Sequence, residues 1–181
     1  MNKRICSMFL FLIFGLITTY AQESSYGIRM GVNVSSINSS ELPENLEDGR
    51  VGVVVGFLAD FPLKGKLSFQ PELQYSSQGN KDERLQLNYI NMPLLLKYNI
   101  TEFLNIQAGP LAGIKIWEWE NNDNYKTFDF SAVGGIGVNV TENIFVDLRY
   151  IHGLSDVFDD KGGLTFEGNN QVFQIALGYR M

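Results

Sequence analysis

From Tyr26 to Tyr179, apolar and polar residues alternate with a period of two, and this feature alone excludes most folds. Successive side chains of a strand point to opposite faces, so sustained alternation describes a succession of half-buried strands. Eight such segments are predicted: Tyr26–Ser36, Arg50–Asp60, Leu67–Ser77, Leu85–Tyr98, Leu104–Trp117, Thr127–Val140, Ile144–Leu154 and Gln171–Tyr179. None carries a helical period with caps, and glycine falls inside strands rather than at helix ends.

The connections alternate in length. Pro62–Lys66, Asn99–Phe103 and Thr141–Asn143 are short; Ile37–Gly49, Gln78–Arg84, Glu118–Lys126 and Ser155–Asn170 are mostly longer and more polar. Tight turns at one end and long loops at the other are the layout of an outer-membrane barrel, with the tight turns in the periplasm and the longer loops extracellular. An even number of strands then puts both ends of the barrel on the tight-turn side.

The two faces differ in kind. Ile28, Met30, Val32 and Val34 oppose Gly27, Arg29, Gly31, Asn33 and Ser35. Leu73 and Tyr75 oppose Glu72, Gln74 and Ser76, and Leu148 and Tyr150 oppose Asp147 and Arg149. A soluble barrel would turn the apolar face inward, and a membrane barrel turns it outward to lipid. The polar face is rich in Gly, Ser, Asn and Gln with charges of both signs, unlike the Lys/Glu-rich face of a solvated surface. Small residues suit a narrow interior filled by a few long side chains. Aromatic residues near strand ends (Tyr26, Tyr98, Phe103, Trp117, Trp119, Tyr125, Phe128, Tyr150, Tyr179) suit interfacial girdles. The expected fold is therefore all-β: a single eight-stranded antiparallel transmembrane β-barrel over residues 22–181.

The first 21 residues read as an address. Lys3 and Arg4 precede an apolar run from Met8 to Ile17, and Thr19-Tyr20-Ala21 supplies small residues before Gln22. This is the pattern of a secretory signal peptide cut after Ala21, with an uncleaved anchor as the alternative. Cys6, the only cysteine, precedes the apolar run, so it is not a lipoprotein cysteine. Residues 22–181 keep 12 basic and 20 acidic side chains, a charge of 12 − 20 = −8. That balance argues against nucleic acid as a partner. One His excludes a multi-histidine metal site within the chain, and no cofactor is expected.

A Lys or Arg on the lipid face near the bilayer midplane costs about 2–4 kcal/mol. Slipping a strand by one residue would turn Arg29 or Arg149 to lipid, so charge as well as hydropathy sets the register. Arg29, Glu72, Lys97, Lys115, Asp129, Asp147 and Arg149 are thus expected to point inward as a polar network. Buried charges need partners, so Arg29, Lys97, Lys115 and Arg149 would pair with Glu72, Asp129 and Asp147 and plug the barrel. The competing reading is a pore constriction.

Four stretches together resemble the PorT-like outer-membrane β-barrel family of Gram-negative bacteria. Tyr89-Ile90-Asn91-Met92-Pro93-Leu94-Leu95-Leu96-Lys97-Tyr98 is similar to that family's Pro-containing strand. Gln107-Ala108-Gly109-Pro110-Leu111-Ala112-Gly113 resembles its Gly-Pro strand. Asp129-Phe130 with Gly134-Gly135-Ile136-Gly137, and Asp147-Leu148-Arg149-Tyr150-Ile151-His152-Gly153-Leu154, resemble two later strands. The resemblance implies a non-enzymatic barrel, some of whose relatives are linked to protein secretion. The final Tyr179-Arg180-Met181 departs from the aromatic last residue that assembly machinery reads in many barrels, so recognition is expected either to rest on Tyr179 or to be weaker.

The other candidate sites read as structural. Gly134-Gly135-Ile136-Gly137 lies inside a strand, whereas a phosphate loop opens a helix. Asp156, Asp159, Asp160 and Glu167 lack the spacing of a calcium loop, and Lys161 interrupts them, so a solvated acidic loop is expected. His152 has no catalytic partner at a recognised spacing, and Trp117 and Trp119 read as interfacial anchors. The expected function is an outer-membrane protein of structural or interaction type without catalytic activity, an accessory of secretion or envelope assembly. A narrow channel for small solutes is the alternative. The partners implied are outer-membrane lipid, the barrel-assembly machinery during biogenesis, and an envelope or secretion protein.

Overall fold

The computed structural model describes residues 24–38, 49–79, 81, 86–118, 127–155 and 169–181. They form eight antiparallel strands: β1 (Ser25–Asn38), β2 (Arg50–Pro62), β3 (Leu67–Gly79), β4 (Gln86–Asn99), β5 (Leu104–Glu118), β6 (Phe128–Asn139), β7 (Ile144–Gly153) and β8 (Asn169–Arg180). Each strand pairs with its neighbours in sequence, and β8 pairs with β1 from Gly27↔Arg180 to Asn38↔Asn169, so the barrel is closed. Closure leaves no unpaired strand edge, a requirement in lipid, where a bare N–H or C=O finds no water. The shortest strand, β7, has 10 residues. At about 3.3 Å per residue and a tilt near 40°, such a strand covers about 25 Å, the height of a barrel's apolar band.

The tight-turn end is built from three connections of four residues, 63–66, 100–103 and 140–143. In the first, Gly65 adopts a φ of 66°, a left-handed value that a residue without Cβ takes at no steric cost. The other two share one device. Thr101 Oγ1 accepts from the Leu104 amide at 3.0 Å, and Thr141 Oγ1 accepts from the Ile144 amide at 2.9 Å. The repeated Asn-Ile/Val-Thr-Glu at 99–102 and 139–142 is its sequence signature. At the same end the Met181 amide donates to the Tyr26 carbonyl at 2.8 Å.

Outward residues are apolar and exposed to the surroundings of the barrel, among them Met30, Val55, Phe57, Leu148 and Ile175. Of the expected girdle aromatics, Tyr26, Tyr98, Phe103, Phe128, Tyr150 and Tyr179 all face outward. Trp119, Tyr125 and the Trp117 side chain lie outside the described residues, as do the proposed signal peptide and the acidic positions 156, 159, 160 and 167.

Inward, one expectation needs correction. The interior is not uniformly small and polar: Leu95, Leu111, Val133, Ile151 and Val172 form a buried apolar cluster within it. Leu58, Leu87, Tyr89 and Phe145 are buried as well. On β2 both faces are largely apolar, so alternation alone could not assign its inner residues.

Interior volume is rationed by glycine. A Cβ on Gly135 would stand 2.6 Å from the Leu148 carbonyl oxygen and 2.9 Å from Arg149 Cγ. A Cβ on Gly178 would enter the Phe145 ring. Each glycine is the direct cross-strand partner of the large residue it accommodates, Gly135 of Arg149 and Gly178 of Phe145. The Gly134–Gly137 run thus lies inside β6, and its inward members Gly135 and Gly137 make room.

Candidate functional site

The site is the charged centre of the barrel. Strand pairing places its members in staircase rows. One row runs Lys97, Gln107, Gly135, Arg149, Gln174, Asn33 through successive cross-strand partners. A parallel row runs Phe145, Gly178, Arg29, Gly56, Gln74. Large polar side chains from non-adjacent strands reach across the space that the glycines leave and meet at Glu72.

Glu72 is the hub. Its Oε2 accepts from Arg29 Nη1 at 2.8 Å, and Arg149 binds it with two nitrogens, Nη1 to Oε2 at 2.8 Å and Nη2 to Oε1 at 2.7 Å. Gln70 Nε2 and Gln74 Nε2 donate to the same carboxylate at 2.6 Å and 2.9 Å. Asp147 bridges both arginines, at 2.6 Å from Arg29 Nη2 and 3.3 Å from Arg149 Nη2. Gln174 Oε1 accepts from Arg29, and Gln107 Oε1 from Arg149, each at 2.9 Å. Two arginines and two carboxylates make the cluster electroneutral. The side chains of Arg29, Glu72 and Asp147 have no solvent exposure, and Arg149 has 1%.

Charges removed from water this completely persist only with opposite charge and hydrogen bonds around them. The four glutamines supply neutral donors and acceptors around the ions, while Arg29 Nε, Arg149 Nε and Gln74 Oε1 are left without a protein partner. Gln70, Gln74, Gln107 and Gln174 are members that charge-based reasoning missed. Their signal was inward parity on strands whose outer face is apolar.

The other expected residues are distributed differently from the predicted pairing. Lys97 pairs with Asp60, which lies at the end of predicted strand 2, and Lys97 also donates to Gln70 Oε1 at 3.2 Å. Asp129 is buried and accepts from Ser131 Oγ and Ser155 Oγ at 2.8 Å and 2.9 Å, nearer the loop end. Lys115 is half-buried on the inward-facing set of β5, also nearer the loop end. The structure therefore joins Arg29, Glu72, Asp147 and Arg149 in one cluster, pairs Lys97 with Asp60 instead of a predicted partner, and sets Asp129 and Lys115 nearer the loop end.

On the side of the loops, the apolar cluster covers this centre. Leu95, Val133, Ile151 and Val172 each stand one inward position loopward of Lys97, Gly135, Arg149 and Gln174 respectively. On the opposite wall a chain of side-chain hydrogen bonds closes the interior: Gln174 donates to Asn33, and Asn33 and Gln78 both donate to Ser76. His152 faces outward beside Tyr150, with ring centroids 6.2 Å apart, and is remote from the charged cluster in its wall position. Among the described residues no group of three or more metal-ligating side chains comes together.

Residues 20–159 match the family described as "Outer membrane protein beta-barrel domain". The chain belongs to this family. As an outer-membrane β-barrel protein it also has structural neighbours of the same fold. It superposes on Neisserial surface protein A with a TM-score of 0.62 at 11% identity, over 88% of this chain and 100% of the other. It superposes on Ail, the attachment invasion locus protein of Yersinia pestis, with a TM-score of 0.58 at 14% identity and the same coverage. Ail bound to the heparin analogue sucrose octasulfate gives a TM-score of 0.54, also at 14% identity, over 88% of this chain and 100% of that one. No curated protein sequence matches the chain. At these identities the neighbours share the fold.

Proposed function

We propose that this barrel is a structural or interaction protein of the outer membrane, without catalytic activity, whose interior is a plug and whose loops make the specific contacts. The observation that supports it is the neutral Arg29–Glu72–Arg149–Asp147 cluster lying across a barrel that is only just wide enough for its own side chains. A plugged interior leaves the loop surface as the place for recognition. The signal peptide of residues 1–21 and the PorT-like resemblance belong to this reading, which makes the barrel an accessory of secretion or envelope assembly.

The charge of the loops narrows the partner. Asp156, Asp159, Asp160 and Glu167 outnumber Lys161 in the last long loop. A sulfated saccharide like the one held by the Yersinia barrel would meet like charge here, so a neutral or basic protein surface fits better. The test is a deletion strain complemented by a variant with residues 156–168 replaced by a short Gly/Ser turn. The reading predicts that this variant inserts and folds yet fails to restore secretion or envelope integrity; full rescue would refute it.

A narrow channel is the second reading. It is favoured by one observation, a polar recess of about 780 Å³ at the tight-turn end.

A further inference from the structure

The recess opens between the three tight turns, and its lining includes Asp60, Lys97, Asn99, Glu102, Asn139 and Arg180 together with turn residues. Its wall carries both signs of charge, unlike the lipid face outside or the apolar cluster above. Arg180 closes one side: Nη1 donates to Asn139 Oδ1 at 2.9 Å, and its guanidinium lies 4.3 Å from the centroid of the Phe145 ring.

Behind this wall several buried polar atoms have no protein partner. Four of them, Asp60 Oδ1, Ser68 Oγ, Asn105 Oδ1 and Arg180 Nε, adjoin the recess; among the described residues Arg29 Nε, Gln74 Oε1 and Arg149 Nε in the charged cluster and Asn170 Oδ1 toward the loops also lack one, but the recess does not reach them. Asp60, Ser68 and Asn105 are each more than nine-tenths buried. All belong to the tight-turn end: Ser68 pairs across strands with Pro62 and Lys97, and Asn105 with Asn99 and Gly137. A buried polar atom without a hydrogen bond costs about 1–3 kcal/mol. Where such atoms adjoin an open polar recess, water is the partner that removes the cost. The loopward neighbours, Leu95, Leu111, Val133, Ile151 and Val172, offer water nothing to bind.

We propose that the tight-turn half of the barrel interior is a dead-end aqueous vestibule, which admits water and small hydrophilic solutes past the Lys97–Asp60 pair and stops them at the Arg149–Glu72 cluster. This deepens the plug reading by setting the plug, the charged cluster at mid-barrel, as the floor of the vestibule. It also gives the recess an occupant without requiring a through-pore.

Thiol accessibility tests it. The only cysteine is Cys6, and Cys6→Ser removes it. Ser68→Cys, Asn105→Cys, Val133→Cys and Val172→Cys are then introduced singly; the last three reduce side-chain volume, and Ser68→Cys exchanges one oxygen for sulfur. Folding of each is confirmed by the mobility difference between unheated and boiled samples. The folded barrels are treated with a small cationic methanethiosulfonate, and with a polyethylene-glycol maleimide too large to enter.

The expected result is that the small reagent modifies Ser68→Cys and Asn105→Cys at least tenfold faster than Val133→Cys and Val172→Cys, while the large reagent modifies none until urea unfolds them. Protection of all four sites from the small reagent would overturn the vestibule and leave the plug standing. Equal reactivity at all four would overturn both the dead end and the plug. Because Ser68 and Asn105 lie on different strands, failure of one variant to fold leaves the other to decide.

Discussion

On β7, Arg149 and Ile151 are consecutive inward-facing residues with 1% and 3% exposure, yet they stand in different surroundings. Arg149 spans to Glu72, Asp147 and Gln107, partners supplied by β3, β5 and its own strand. Ile151 packs among Leu95, Leu111, Val133 and Val172. The same step, from polar group to hydrocarbon, is taken by Lys97 to Leu95 on β4 and by Gln174 to Val172 on β8. A narrow barrel thus carries two interior storeys. The polar one is held by specific pairs and cannot tolerate the loss of a partner. The apolar one is held by shape and shields the pairs beneath it along the β4–β8 wall, facing the polar Asn33, Ser76 and Gln78 across the barrel.

The contrast can be broken most severely at the hub. Glu72→Ala leaves two buried guanidiniums with one carboxylate, and loss of one partner from a buried ion pair costs about 3–5 kcal/mol. Urea titration of the barrel in lipid vesicles is expected to show a midpoint shift of that size. Next comes the space allotted to the polar storey. Gly135→Ala drives a methyl against the Leu148 carbonyl and Arg149 Cγ and is expected to cost about 1–3 kcal/mol in the same titration. Gly134→Ala, whose Cβ would meet nothing within 4 Å, is expected to shift the midpoint by less than about 0.5 kcal/mol.

The dryness of the upper storey is sharpened by Val172→Thr, which keeps the shape and adds a hydroxyl. Burial of a polar group without a partner is expected to cost about 1–3 kcal/mol in this titration. Equal stability would mean that water reaches the belt. A small effect is also expected outside both storeys: Thr141→Ala removes one exposed turn hydrogen bond and is expected to cost about 1 kcal/mol or less. Thr101→Ala should match it, because the two turns use the same bond.

Much of this was legible in the sequence, and the gaps have physical causes. Strand boundaries agree within about two residues because apolar alternation and turn chemistry end together. Arg29, Glu72, Asp147 and Arg149 were identifiable because lipid forbids them the outer face. Their partners were harder to assign. Pairing inside a barrel depends on tilt and register, which join residues such as Arg29 and Asp147 that are 118 positions apart. Asp60 was hidden because β2 is apolar on both faces around it. The upper storey was hidden for the same reason: Val133 and Ile151 look like any other strand hydrophobics until register turns them inward.

The central claim is that these two storeys close the barrel, and planar-bilayer conductance of the purified, refolded protein tests it most directly. The account predicts a current indistinguishable from protein-free bilayers at any applied potential the membrane withstands. A reproducible unitary conductance from the wild-type barrel would contradict it and make the charged cluster a constriction rather than a plug.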